Sequence, residues 1–228
     1  MKKVLVVGHS HILALKRAAS ADESFEFYSI QEKGMDEILN ANADAYLSIA
    51  LLIRGNHHNN LGLINHPQPF DFYLPENTNL PIRPNAQLLP VSLVANAMKD
   101  HMKQSLFFDM TSNIVEAFRN IPIYQICSPP PLPEMHIRKH PSTFKEKIDE
   151  LGVSPAIFRY KLWHLYWTIA HANCAKLGIT FVDVPKTVQN KNGLLHLEYC
   201  NTDPTHANDV YGNLVLNQIR ALNNMDIK

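Results

Sequence analysis

Lys3-Val4-Leu5-Val6-Val7-Gly8-His9-Ser10-His11 is the stretch on which the reading of this chain turns. Between Val4 and Val7 no polar residue alternates with the apolar ones. An extended segment of that kind buries both faces, as a strand does inside a parallel sheet. The run stops at Gly8, and residues 12–19 follow with helical spacing. Strand, tight corner and helix form the opening of an α/β unit. Ser10 lies in the corner.

The same alternation continues outward. Residues 25–30 read as a second strand whose following loop reaches Gly34, and 36–40 as a short helical piece. A third strand over 45–53 is closed by Arg54-Gly55-Asn56. Residues 91–119 are helical in spacing, with an interruption around 106–110. Residues 121–127 form a fourth strand, stopped by Ser128-Pro129-Pro130-Pro131. A long helix over 156–177 stands behind Ser154-Pro155, a pair suited to the N-cap and first helical positions. Gly178 suits its C-terminus. A fifth strand covers 179–184, and Asp203-Pro204-Thr205-His206 precedes a last helix over 208–222.

Two polar, proline-containing stretches, at about 57–90 and 129–154, read as insertions; the first holds three His and six Pro. Long connections of little regular pattern are more often functional or lid-like than plain spacers. Five strands separated by helices predict an α/β fold: a three-layer αβα sandwich around a flavodoxin-like five-stranded parallel sheet, in one domain over 1–228.

Composition narrows the function. A chain of 228 residues can bury a sizeable core without a disulfide or a metal. With 46% hydrophobic and 18% charged residues it is not a disordered chain. Lys+Arg and Asp+Glu both number 21, so no basic field exists to gather nucleic acid. The apolar run after Lys2-Lys3 is too short for a secretory signal, and no stretch approaches a membrane span. Cys127, Cys174 and Cys200 form no C-x-x-C pair and suit a reduced compartment. A soluble, cytoplasmic protein that binds neither nucleic acid nor membrane is expected. Its oligomeric state is not legible at this level.

In α/β sheets of this kind chemistry collects at the carboxyl ends of the strands. Ser10 could cap a helix there or act as a nucleophile beside free backbone N–H groups. A serine nucleophile needs a base. Among 11 Asp and 12 His, Asp203 and His206 form the only Asp-x-x-His pair. That offset lets the carboxylate reach Nδ1, hold the tautomer and support the imidazolium formed when Nε2 takes a proton. The alternative is a turn-capping aspartate with a surface histidine. Asn56 could donate to an oxyanion, a contact worth roughly 3–4 kcal/mol in hydrolases, or be a turn asparagine. Gly34 follows the second strand, where glycine allows positive φ and close approach.

A serine after strand one, a glycine after strand two, an asparagine after strand three and Asp-x-x-His before the last helix resemble, in that order, the SGNH (GDSL-type) hydrolase superfamily. The resemblance implies that Ser10 is nucleophile and oxyanion donor, Gly34 a backbone donor, and Asn56 a side-chain donor. Asp203 orients and His206 acts as base. It implies a serine esterase that forms a covalent acyl-serine, without cofactor, on a small-molecule ester. Small acyl groups such as acetyl, with an acylated sugar as one candidate substrate, are expected. The chain departs from the family pattern at His9, where Asp is usual; at Arg54, which takes the Gly place of Gly-x-Asn; and at His57, where Asp often follows. These departures keep open a non-catalytic binding protein of the same fold. An acyltransferase would use the same triad.

His9, His11, Arg54 and His57 gather near the proposed site and are candidate substrate contacts. A metal site is not expected. Adjacent His57 and His58 rarely share one ion, and His136 and His140 lack the Glu of His-Glu-x-x-His and sit between two prolines. Pro129 to Pro133 read as a rigid crevice wall, and Trp163, Tyr166 and Trp167 as core.

Overall fold

The computed structural model describes residues 2–226. Its strands are β1 (Lys3–Gly8), β2 (Phe25–Ser29), β3 (Tyr46–Leu52), β4 (Phe70–Asp71), β5 (Gln87–Leu88), β6 (Ile123–Ile126) and β7 (Thr180–Val182). Five of them form one parallel sheet in the order β2-β1-β3-β6-β7. The helices are α1 (Ile12–Ala18), α2 (Ile30–Lys33), α3 (Asp36–Leu39), α4 (His57–Gly62), α5 (Val91–Gln104), α6 (Phe107–Ala117), α7 (Glu134–Lys139), α8 (Lys145–Leu151), α9 (Ala156–Leu177) and α10 (Asp209–Leu222).

Side chains alternate across a strand, so the unbroken apolar run of β1 feeds two cores. Val4 and Val6 join Ala50, Leu52, Ile126 and the buried faces of α1 and α10 on one side. Leu5 and Val7 join Ile49 and Leu51 on the other, beneath α5, α6 and α9. Each such side chain contributes roughly 1.5–3 kcal/mol when fully buried. That two-sided burial suits β1 to the interior of the sheet, between β2 and β3, with Ser10 just beyond its end.

Several local expectations need correction. Residues 30–33 wind one helical turn before Gly34 instead of continuing strand and loop. The stretch after Asn56 is not irregular, because α4 begins at once with His57, His58 and Asn59 buried. Farther on, β4 and β5 pair in parallel as a separate two-stranded sheet. Between 129 and 154 lie α7, a short 3-10 turn and α8. The expected interruption near 106–110 is the left-handed Leu106 (φ 63°) that separates α5 from α6. Pro155, not Ser154, caps α9, and no side chain serves that end. The Ser154 carbonyl instead accepts from Arg159 Nε.

The 57–90 segment is fastened to the body by a buried ion pair. Lys161 Nζ on α9 lies 3.0 Å from Asp71 Oδ1 on β4 and 2.9 Å from the Pro81 carbonyl oxygen. Asp71 Oδ2 also accepts from the Arg83 N–H at 2.7 Å. With every polar group partnered, the pair holds one register of this segment over α9.

Candidate active site

Strand order reverses at β1: the chain moves to β2 on one side and later returns to β3 on the other. Crevices form at the carboxyl ends of strands that flank such a switch point. Here β1 ends beside Ser10 and β3 ends beside Asn56. A cleft of about 570 Å³ opens there, lined by Ser10, Gly34, Arg54 and Asn56 together with His9 and His57. A second cavity of about 240 Å³ lies on the other side of Ser10, against Asp203, His206 and Arg17.

His206, 196 residues along the chain, comes back to Ser10: its Nε2 is 2.8 Å from Ser10 Oγ. Its Nδ1 is 2.9 Å from Asp203 Oδ1. The same carboxylate oxygen accepts the N–H groups of Thr205 (2.9 Å) and His206 (2.8 Å), so Asp203 both closes the turn and faces the ring. Asp203 Oδ2 accepts from Asn201 Nδ2 at 2.7 Å. Burial alone would raise the Asp203 pKa, but the His206 contact and these N–H donors outweigh it and hold the carboxyl well below the usual carboxylate range. The aspartate stays ionised. The N-cap position of α1 falls on His11, and the Ser10 hydroxyl bonds His206 rather than the helix. Helix α10 is capped by Asn208, whose Oδ1 accepts from the Tyr211 N–H.

Asn56 stands at the start of α4 without capping it. Its Oδ1 accepts from Asn59 Nδ2 at 3.0 Å, and no acceptor meets its own NH2 in good geometry among the described residues, although the side chain lies near enough to His11 to favour the protonated form of that ring. The Ser10 N–H likewise meets no backbone acceptor among them. Gly34 does not fit the expectation of a backbone donor. Its N–H donates to the Ile30 carbonyl at 2.9 Å, closing the α2 turn, although the residue lines the cleft. The unforeseen helical turn before it takes up that donor.

The three departures acquire structural roles. His9 Nδ1 accepts from the Arg54 N–H at 3.4 Å, tying the corner after β1 to the corner after β3. Arg54 is exposed in the cleft and has φ 48°, a left-handed conformation that favours glycine and costs other residues of order 1 kcal/mol or more. The backbone there has a shape that glycine adopts freely while carrying an arginine. His57 is 2% exposed and packs edge-on to Phe107, so it is as much wall as contact.

Burial keeps these rings neutral. His9 is pushed down to about 4 by burial and then by the Arg54 charge. His11 and His57 are each pushed down to about 3, first by burial and then by a neighbouring ring, His206 or His101. His11 packs against His206 with ring centroids 4.9 Å apart. Beside it, Gly55 is required: a β-carbon there would come 2.7 Å from His11 Cδ2 and 2.9 Å from Ser128 Cβ.

Residues that spacing did not reveal also reach the cleft: His101 and Ser105 from α5 and its end, Met110 from α6 and Asn60 from α4. They arrive from helices laid across the strand ends, so no local pattern marks them. His66 forms a turn with Gln68 and lies outside this cleft. His136 on α7 and His140 just past its end place their rings 4.7 Å apart at a tilt of 45°, and no cluster of ligating side chains able to hold a metal occurs among the described residues. Nor is any described helix long and apolar enough to cross a membrane.

No protein-family model matches the chain, and no curated protein matches it in sequence. Solved structures do match in shape. A proposed acylhydrolase from Bacteroides fragilis aligns over 98% of this chain and 86% of its own, at a TM-score of 0.51 and 13% identity. A GDSL-like lipase from Bacteroides thetaiotaomicron aligns over 98% of this chain and 88% of its own, at a TM-score of 0.50 and 11% identity. The five-stranded parallel sheet with helices on both faces is thus a fold this chain shares with those two structures.

Proposed function

We propose that the chain is a serine ester hydrolase acting by acyl transfer. One observation carries the reading: the unbroken line from Ser10 Oγ to His206 Nε2 and from His206 Nδ1 to Asp203. Ser10 Oγ attacks the ester carbonyl as its proton passes to His206, and the C–O bond to the alcohol breaks as His206 returns that proton to the leaving oxygen. Water then attacks acyl-Ser10 by the same route, freeing the acid and the serine. Asp203 fixes the ring and stabilises its cationic form. The Ser10 N–H and the Asn56 NH2 stabilise the developing oxyanion, and Gly34 does so only if the α2 turn opens. Small acyl groups such as acetyl, on an alcohol as bulky as a sugar, are the expected substrates, and a cleft of about 570 Å³ beside Ser10 has room for them. The three unpaired, buried thiols support a cytoplasmic setting.

The test is Ser10→Ala. Hydrolysis of short para-nitrophenyl esters should fall to background while the circular-dichroism spectrum and melting point stay close to those of the wild type. Turnover retained in that variant would remove the assignment. The second cavity beside Ser10 gives room for an acceptor alcohol, so product analysis with added sugars separates hydrolysis from transfer.

A further inference from the structure

The main cleft has an unusual charge balance. Of the side chains that line it, Arg54 alone carries a permanent charge, and no carboxylate is among them. The remaining polar groups are amides, hydroxyls and imidazoles. Among the described residues Arg54 has neither an ion-pair partner nor a side-chain hydrogen bond. Exposed arginines without partners are common, but this one is held in a left-handed backbone at φ 48°. Glycine would relieve that strain, so a strained arginine at the mouth of a reaction cleft points toward function. Its backbone N–H is also tied to His9, in the corner after β1 and next to Ser10.

The surroundings favour one kind of ligand. A guanidinium presents a planar fork of N–H donors matched to carboxylate and phosphate oxygens. His9 and His57 stand close enough to feel the Arg54 charge. Kept neutral, His9 can add a hydrogen bond through Nε2 without a second full charge, while the buried His57 shapes the wall. Asn60, exposed on α4, offers an amide on the same wall.

We propose that Arg54 selects substrates carrying an anionic group, a carboxylate or phosphate, within reach of the scissile ester. This rests on the esterase reading and adds to it the class of ester. The anion can sit on the acyl half or on the alcohol half, and matched esters distinguish the two. On the acyl side the pair is para-nitrophenyl hexanoate and the mono-para-nitrophenyl ester of adipic acid. On the alcohol side it is methyl para-acetoxybenzoate and para-acetoxybenzoate itself.

For at least one pair, kcat/KM of the wild type should favour the anionic ester tenfold or more, with the preference falling as salt is added. Arg54→Gln, and Arg54→Gly should the first fold poorly, should cut that ratio at least tenfold, chiefly through KM. Arg54→Lys should restore part of it. Ratios at or below one for both pairs, or a ratio unaltered in both neutral variants, would overturn the proposal. The Ser10→Ala protein, titrated calorimetrically with the same esters, gives the affinities without turnover. An anion preference in binding with no hydrolysis by the wild type would sink the esterase reading and leave Arg54 as the anion-binding group of this cleft. Hydrolysis without any anion preference would do the reverse.

Discussion

Gly212 on α10 lies directly against the Ala14 carbonyl on α1, so close that a β-carbon at 212 would overlap that oxygen. This contact lets the two helices approach on one face of the sheet. His206 lies six residues before Gly212, and Ser10 four residues before Ala14. The helix pair therefore sets how near the imidazole comes to the hydroxyl.

Gly212→Ala should force α10 outward or strain both helices, at a cost of about 1–3 kcal/mol. Because misplacement of about 1 Å can cost about a hundredfold in rate, kcat should drop more than stability alone explains. Thermal melts and steady-state kinetics on the folded variant check this. A variant with a lowered melting point and undiminished kcat would show that the helix contact does not set the Ser10–His206 distance.

The oxyanion donors make a second test. With the Gly34 N–H committed to Ile30, the Asn56 amide should matter greatly. Asn56→Ala is expected to lower kcat by about 10²–10³ with little change in KM. Asn59→Ala removes the group that orients the Asn56 amide and should lower kcat about tenfold. Asn59→Asp, which loses the donor but keeps the volume, should resemble it. Equal rates for Asn56→Ala and the wild type would place the oxyanion elsewhere.

Asp203→Asn tests the orienting carboxylate. An amide can hold the ring in the wrong tautomer, so kcat should fall by about 10³–10⁴ while the turn survives in part. One oxygen, Oδ1, serves Nδ1 and the Thr205 and His206 N–H groups alike, so an NH2 turned toward the ring also costs the turn those two bonds and should lower the melting point. Kinetics beside a melting curve separate the two effects. A large loss of stability with normal kcat would make Asp203 a turn residue only.

Much of this architecture was legible in particular residues. The unbroken run of Val4 to Val7 demanded burial on two faces, and Ser10 and His206 followed from strand-end position and a single Asp-x-x-His. What was hidden depended on long-range packing. Helix α4 carries His57, His58 and Asn59 inward, where three polar side chains give no apolar period. The turn over Ile30–Lys33 is too short to show a period, yet it takes the donor of Gly34. At Arg54 the Gly place of Gly-x-Asn hinted at a special backbone, but an arginine gives no local signal of the positive φ found there.

Acid stability follows from the buried rings. His11 and His57 are pushed down to about 3, and His58 well below its usual range, in each case mainly by burial. In the unfolded chain a histidine takes its proton near pH 6.5. Between pH 6.5 and about 3 the unfolded state therefore binds more protons, and stability falls as pH falls. The loss approaches about 1.4 kcal/mol per pH unit for each fully buried ring. Urea midpoints should drop clearly between pH 7 and pH 5, before carboxylates protonate. His58→Leu should flatten that slope, and equal midpoints at the two pH values would contradict it.

The most direct measurement is covalent. Treated at neutral pH with an alkyl fluorophosphonate, the wild-type protein should gain one adduct, which peptide mass spectrometry locates on Ser10. The His206→Ala protein should label at least a hundredfold more slowly. Absence of an adduct on Ser10, or labelling at the same rate without the imidazole, would contradict an activated serine.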